Sequence, residues 1–213
     1  SQSCSNDERL EGLRESVLLE QKLYETNKKN HKLALGKPRN ISSWTHGGSG
    51  PSHSLGNIAF SADGKFSSHF KTKLGPKGVY SEPIVQNKQI FIMTPNGYIV
   101  VYNDKGQFLW EISILPEGIG RKNYIYGGLA INKDKLAVTS SLGELLLISV
   151  SKRRVVWRYD FKRPFRSAPI FHKGYIFGVT GDDIAISLDF KGKLRWTKKG
   201  PQKNTKVFAT VSP

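Results

Sequence analysis

A unit of four short β-rich segments joined by three tight turns, Ser81 to Ile114 (SEPIVQNKQIFIMTPNGYIVVYNDKGQFLWEISI), constrains this chain more than any other feature. The segments are rich in Ile, Val, Phe, Tyr and Trp, and the joints Asn87-Lys88, Pro95-Asn96-Gly97 and Asp104-Lys105-Gly106 carry the residues that tolerate positive φ in hairpins. The spacing predicts a four-stranded antiparallel sheet. The same pattern returns from Gly128 to Phe161 and from Ser167 to Thr197, with Trp110, Trp157 and Trp196 holding one place in the last strand of each copy. Self-similarity at about 40 to 50 residues with four strands per copy is the mark of a β-propeller blade. The expected class is therefore all-β, an incomplete propeller with three full blades. A Trp buries about 150 to 250 Å², worth roughly 4 to 6 kcal/mol at about 25 cal/mol per Å², so the three tryptophans are expected to wedge between neighbouring blades.

The remainder of the chain is read around those blades. Residues 1–43 look like a tether: a short apolar cluster (Leu10, Leu13, Val17, Leu18) fit for a helical turn or two, then a Lys/Asn-rich run. From Trp44 to Pro213 the composition is that of a compact domain. Gly47, Gly48, Gly50 and Gly56 suggest a phosphate loop, but neither Gly-Lys-Ser/Thr nor a long helix follows, and the phosphate cradle needs both. Residues 65–75 match the last strand of a blade, with Phe70 in the Trp place, and residues 210–213 match the opening of another. Three blades, a leading strand and a beginning do not close a ring of four to eight. The expectation is the N-terminal part of a longer propeller.

Lys and Arg number 33 against 17 Asp and Glu, for a net charge of +16, which raises the question of an anionic partner. The basic residues fall in turns and loops along the whole length, which reads as a solvated surface. With a single cysteine, Cys4, an internal disulfide and a cysteine-based metal site are both excluded. A cysteine close to the N-terminus ahead of polar tether fits a lipid anchor, and it also fits an ordinary free thiol. The five histidines form no metal-ligand spacing, Asp182-Asp183 falls where the other copies have a hairpin turn, and the serines beside His53 lack a strand-to-helix elbow. No catalytic residues and no metal ligands are assigned. A rigid ring of repeats that differ mainly in their loops has the character of a binding platform.

The repeat endings Asp104-Lys105-Gly106-Gln107-Phe108-Leu109-Trp110 and Phe190-Lys191-Gly192-Lys193-Leu194-Arg195-Trp196 resemble the PQQ-type propeller repeat. The order Cys4, Leu10 to Leu18, Trp44, Gly47-Gly48 and Pro51-Ser52-His53-Ser54-Leu55-Gly56-Asn57 is similar to that of the BamB outer-membrane assembly lipoproteins, in their alphaproteobacterial form. That resemblance implies an eight-bladed, non-catalytic scaffold of the β-barrel assembly machinery on the periplasmic face of the outer membrane, anchored through lipid on Cys4. It implies contact with a POTRA domain of BamA and other subunits, with unfolded barrel clients as further partners. The partner loop would be the one after the third blade, Lys198 to Ala209, where position gives Thr205, Val207 and Phe208. Ser1 stands where a lipobox usually has Leu. Quinoprotein dehydrogenases share the repeat but surround their cofactor with acidic metal ligands and vicinal cysteines, so no cofactor is carried over. Two other readings stay open: a fragment of a PQQ-dependent dehydrogenase, and a basic propeller binding nucleic acid or anionic polysaccharide.

Overall fold

The computed structural model describes residues 36–59, 81–119 and 125–200. The sheets belong to a compact unit that begins at Gly36. Twelve strands form three four-stranded antiparallel meanders, and among the described residues there is no helix. Blade 1 is β1 (Ile84–Gln86), β2 (Gln89–Met93), β3 (Tyr98–Asn103) and β4 (Phe108–Ser113). Blade 2 is β5 (Gly127–Asn132), β6 (Lys135–Ser140), β7 (Glu144–Ser149) and β8 (Arg154–Asp160). Blade 3 is β9 (Ile170–His172), β10 (Tyr175–Val179), β11 (Ile184–Asp189) and β12 (Leu194–Lys199). The sheets are separate and open, and the fold is that of propeller blades. The innermost strands β1, β5 and β9 lie side by side.

Alternation of side chains along each strand decides which blade a residue meets. In blade 2, Leu129, Ile131, Leu136, Val138, Leu146 and Ile148 point to blade 1, where they meet Ile84, Phe91, Met93, Ile99, Val101 and Trp110. The alternate positions Ala130, Ala137, Leu145 and Leu147 point to blade 3 and pack on Phe171, Ile176, Ile186, Leu188 and the linker residue Phe165. Both faces of blade 2 are thus covered. Its third strand, ELLLIS, is accordingly an almost unbroken apolar run rather than an alternating one.

Local chemistry sets the turns. Asn103 Oδ1 accepts the Lys105 and Gln107 N–H groups, and Asp189 Oδ1 does the same for Lys191 and Lys193. At the other end of the sheets, the Thr94 hydroxyl oxygen accepts the Tyr98 N–H and that of Thr180 accepts the Ile184 N–H, so the β2–β3 and β10–β11 turns are built alike. Asp183 sits in the second of these at φ 63°, the hairpin role expected for the Asp182-Asp183 pair.

Each blade also carries a bulge between its third and fourth strands, immediately ahead of the tryptophan. Leu109, Val156 and Arg195 are the extra residues, and the added local twist re-aims the Trp that follows.

The three tryptophans then diverge. Trp110 is 6% exposed and packs edge-to-face on Phe91 in the seam with blade 2. Trp157 reaches blade 3, where its Nε1–H donates to the Phe190 carbonyl at 3.0 Å and its ring lies against Gly192. Trp196, expected to be wedged like the others, is 46% exposed and rests on Phe177 of its own blade. The reason is positional: Trp110 and Trp157 are covered by the blade that follows, and no blade after β12 is among the described residues.

Candidate functional site

The glycine-bearing segment after residue 43, read from sequence as a failed phosphate loop, turns out to run along the innermost strands of all three blades. Trp44 exchanges two backbone hydrogen bonds with Val85 of β1, both 2.7 Å. The Thr45 carbonyl accepts the Ile131 N–H of β5 at 2.8 Å. His46 then reaches β9, its Nε2 accepting the Phe171 N–H at 3.1 Å while its ring meets the Phe171 ring edge-on. Three consecutive residues therefore clasp three blades. No hydrophobic period marks so short a bridge, and the available signal was only the Trp-Thr-His alternation ahead of a glycine turn.

His46 is 3% exposed. Because Nε2 accepts from a backbone amide, the proton of the neutral ring resides on Nδ1, which lies 2.9 Å from Thr45 Oγ1 and donates to it. Burial first, and His53 second, lower its pKa from 6.5 to about 4. It is a structural tie with both nitrogens engaged, not a free base.

Beside the clasp lies a groove of about 770 Å³ between blades 1 and 2. Ser42, Ser43 and Thr45 contribute from the clasp, Gln86 to Gln89 from the β1–β2 turn, Lys133 and Asp134 from the β5–β6 turn, and Val150 with Ser151 from the β7–β8 turn. The Gln86 amide bridges the blades by donating to the Lys133 carbonyl at 2.7 Å. Asp134 accepts the Ser149 hydroxyl at 2.7 Å and the Ser151 N–H at 2.6 Å. Burial opposes ionisation of Asp134, but these hydrogen bonds and Lys135 outweigh it and hold the carboxyl below its usual range. Hydroxyls, carboxamides and two lysines at an open groove can bind a polar, negatively charged group.

The opposite end of the blades is paired rather than open. Arg158 donates to the Glu144 carboxylate at 2.9 Å and to the carbonyls of Ile114 and Leu115, tying the β4–β5 linker down. Burial raises the Glu144 pKa, and Arg158 opposes that rise. Arg163 pairs with Asp182 there.

Among the described residues no three His, Cys, Asp or Glu side chains converge as a metal site, and no helix is long and apolar enough to cross a membrane. Of the repeat tryptophans, Trp110 and Trp157 sit against a following blade and Trp196 is exposed. Cys4, Thr205, Val207 and Phe208 lie outside the described residues, as do 65–75 and 210–213.

The family model described as outer membrane protein assembly factor BamB matches residues 95–213, more than half of the chain. The chain belongs to the BamB family. The match covers β3 through β12 and so includes blades 2 and 3 whole. No curated protein matches the sequence. Among solved structures, a quinohemoprotein alcohol dehydrogenase, ADHIIG of Pseudomonas putida HK5, is similar at 19% identity and TM-score 0.45, over 56% of this BamB-family chain and 20% of its own. A quinohemoprotein alcohol dehydrogenase from Comamonas testosteroni is similar at 17% identity and TM-score 0.48, over 57% and 21%. The structure of U3-55K is similar at 13% identity and TM-score 0.47, over 55% and 37%. The chain thus spans well under half the length of these three structures.

Proposed function

We propose that this chain is a non-catalytic scaffold subunit of the outer-membrane β-barrel assembly machinery, held on the periplasmic face of the outer membrane by lipid on Cys4. It engages a POTRA domain of BamA through propeller loops, with unfolded barrel clients as further partners. The observation that carries this reading is the BamB family match over residues 95–213. One feature of the architecture agrees with it: the blades are locked by packed seams and an inner clasp. Variation is then confined to loops on a stiff frame, which suits docking.

The test is capture of the POTRA domains of BamA by the full chain. Retention is expected, and Val207→Asp with Phe208→Asp is expected to weaken it while leaving the far-ultraviolet spectrum unchanged. Absence of retention by the parent chain would remove the scaffold reading. Oxidation of alcohols or sugars after reconstitution with the quinone and calcium would replace it with an enzyme.

A further inference from the structure

The positive charge of this chain is not spread evenly over the blades. In each meander the first and third turns fall at one end of the sheet, and among the described residues that end carries six exposed lysines in its turns. Lys88, Lys133 and Lys173 stand in the three inner turns, and Lys105, Lys152 and Lys191 stand farther out, all exposed. Among the described residues none of these six makes a salt bridge. Three acids share this end, against the six lysines. Asp134 is engaged by Ser149 and Ser151, Asp189 accepts the Lys191 and Lys193 N–H groups, and Asp104 sits next to Lys105.

The backbone adds a second observation. Lys88, Lys133 and Lys173 all occupy left-handed conformations, at φ 59°, 55° and 43°. Glycine or asparagine relieves a hairpin at such positions, and lysine does not. Lys88 is the second residue of its two-residue turn and Lys133 and Lys173 the first of theirs, so each inner hairpin holds one lysine in a strained conformation of the kind a functional surface retains. Two of the three lysines, Lys88 and Lys133, line the groove of about 770 Å³, together with Ser42, Ser43, Ser151 and the single acid Asp134. A third observation concerns apolar character. Phe108 follows the Lys105 turn and Tyr175 follows the Lys173 turn at this same end, 56% and 36% exposed. Aromatic rings next to lysines on an otherwise polar face are the pattern of a protein resting at a lipid–water interface.

We propose that this end of the blades docks on an anionic phospholipid surface, with a headgroup phosphate seated between Lys88 and Lys133. A protein partner is less favoured, because lysine is depleted from the cores of protein interfaces. A nucleic-acid strand is less favoured too, because the cations form a broad face at two radii rather than a track along one groove.

The test uses the full 213-residue chain without any acyl group and sedimentation with vesicles of phosphatidylcholine, with and without phosphatidylglycerol. Binding is expected only to the vesicles containing phosphatidylglycerol, weakening as salt is raised. The variant Lys88→Gly, Lys133→Gly, Lys173→Asn is expected to lose about tenfold or more in vesicle affinity while its melting temperature stays level or rises, since each change relaxes a turn. A merely structural role for these lysines would not separate the two readouts. A second variant, Lys105→Glu with Lys191→Glu, leaves the inner turns alone and is expected to weaken binding as well. Equal binding to neutral vesicles, no binding to either, full binding by both variants, or displacement from vesicles by a single-stranded oligonucleotide would each overturn the proposal. Because no BamA fragment is present, failure here leaves the scaffold reading untouched, and failure of POTRA capture leaves this one untouched.

Discussion

His46 Nε2 accepts the backbone N–H of Phe171 at 3.1 Å, joining residues 125 positions apart. This one bond fixes the histidine tautomer, satisfies an inner-strand amide and links the clasp to blade 3.

Acid should therefore loosen the clasp, while Glu144, whose carboxyl is raised by burial, opposes that loss as it takes up its proton in the folded state. The folded pKa of His46 is about 4 against an ordinary 6.5, so between these values the unfolded chain binds the extra proton. Stability from this group is complete above about 6.5 and is lost as pH falls toward about 4. Asp134, Asp182 and Asp189, all held below their usual range, lose their contributions lower still. A melting-temperature series is expected to slope downward from pH 6.5 to 4 in the parent and to flatten in His46→Gln. A parent series with the same slope as His46→Gln across that window would refute the assignment.

The contact of Trp157 with Gly192 makes a sharp substitution test. A Cβ on Gly192 would lie 2.8 Å from the Trp157 ring, at a φ of +82° that side chains rarely adopt. Gly192→Ala is expected to cost about 2 to 3 kcal/mol in urea unfolding. Trp157→Phe, which removes the donor to the Phe190 carbonyl, is expected to cost about 1 to 2 kcal/mol.

Gly128 packs closely against the linker into blade 3, where an added Cβ would come within 2.3 Å of the Ala168 Cα. Backbone stands on both sides, so neither can swing away. Gly128→Ala should destabilise by about 2 kcal/mol or more and broaden the unfolding transition; an unchanged midpoint would show that the linker from Phe165 to Ala168 is free to move.

The tryptophans should rank by burial and not by their shared place in the repeat. Trp110→Ala is expected to cost about 3 to 5 kcal/mol, and Trp196→Ala about 1 kcal/mol or less in this chain. Equal costs would mean that something covers Trp196 in solution.

The blades were legible because two local signals coincide in them, apolar residues at strand spacing and turn residues at Asn87-Lys88, Asn96-Gly97 and Lys105-Gly106. Even the two-sided burial of blade 2 can be traced to the unbroken ELLLIS run. The clasp was not legible, since Trp44, Thr45 and His46 each bond a different blade and no periodicity describes that. Nor was the charged end. Lys88, Lys133 and Lys173 lie 40 or more residues apart, and only the stacking of meanders gathers them. Overlaying the repeats turn on turn would have shown a lysine in each first hairpin. Trp196 failed for a converse reason: the repeat names the residue, while its burial depends on a neighbour the repeat does not contain.

The clasp also bears on the order of synthesis. Each meander is closed by contacts between near neighbours and can form as its own residues leave the ribosome. Trp44 acquires its partner once Val85 exists and Thr45 once Ile131 exists, whereas His46 must wait for Phe171. A nascent chain stopped short of β9 would hold two finished meanders with the imidazole of His46 lacking its mate, so the last of the three ties reports that the third blade has arrived.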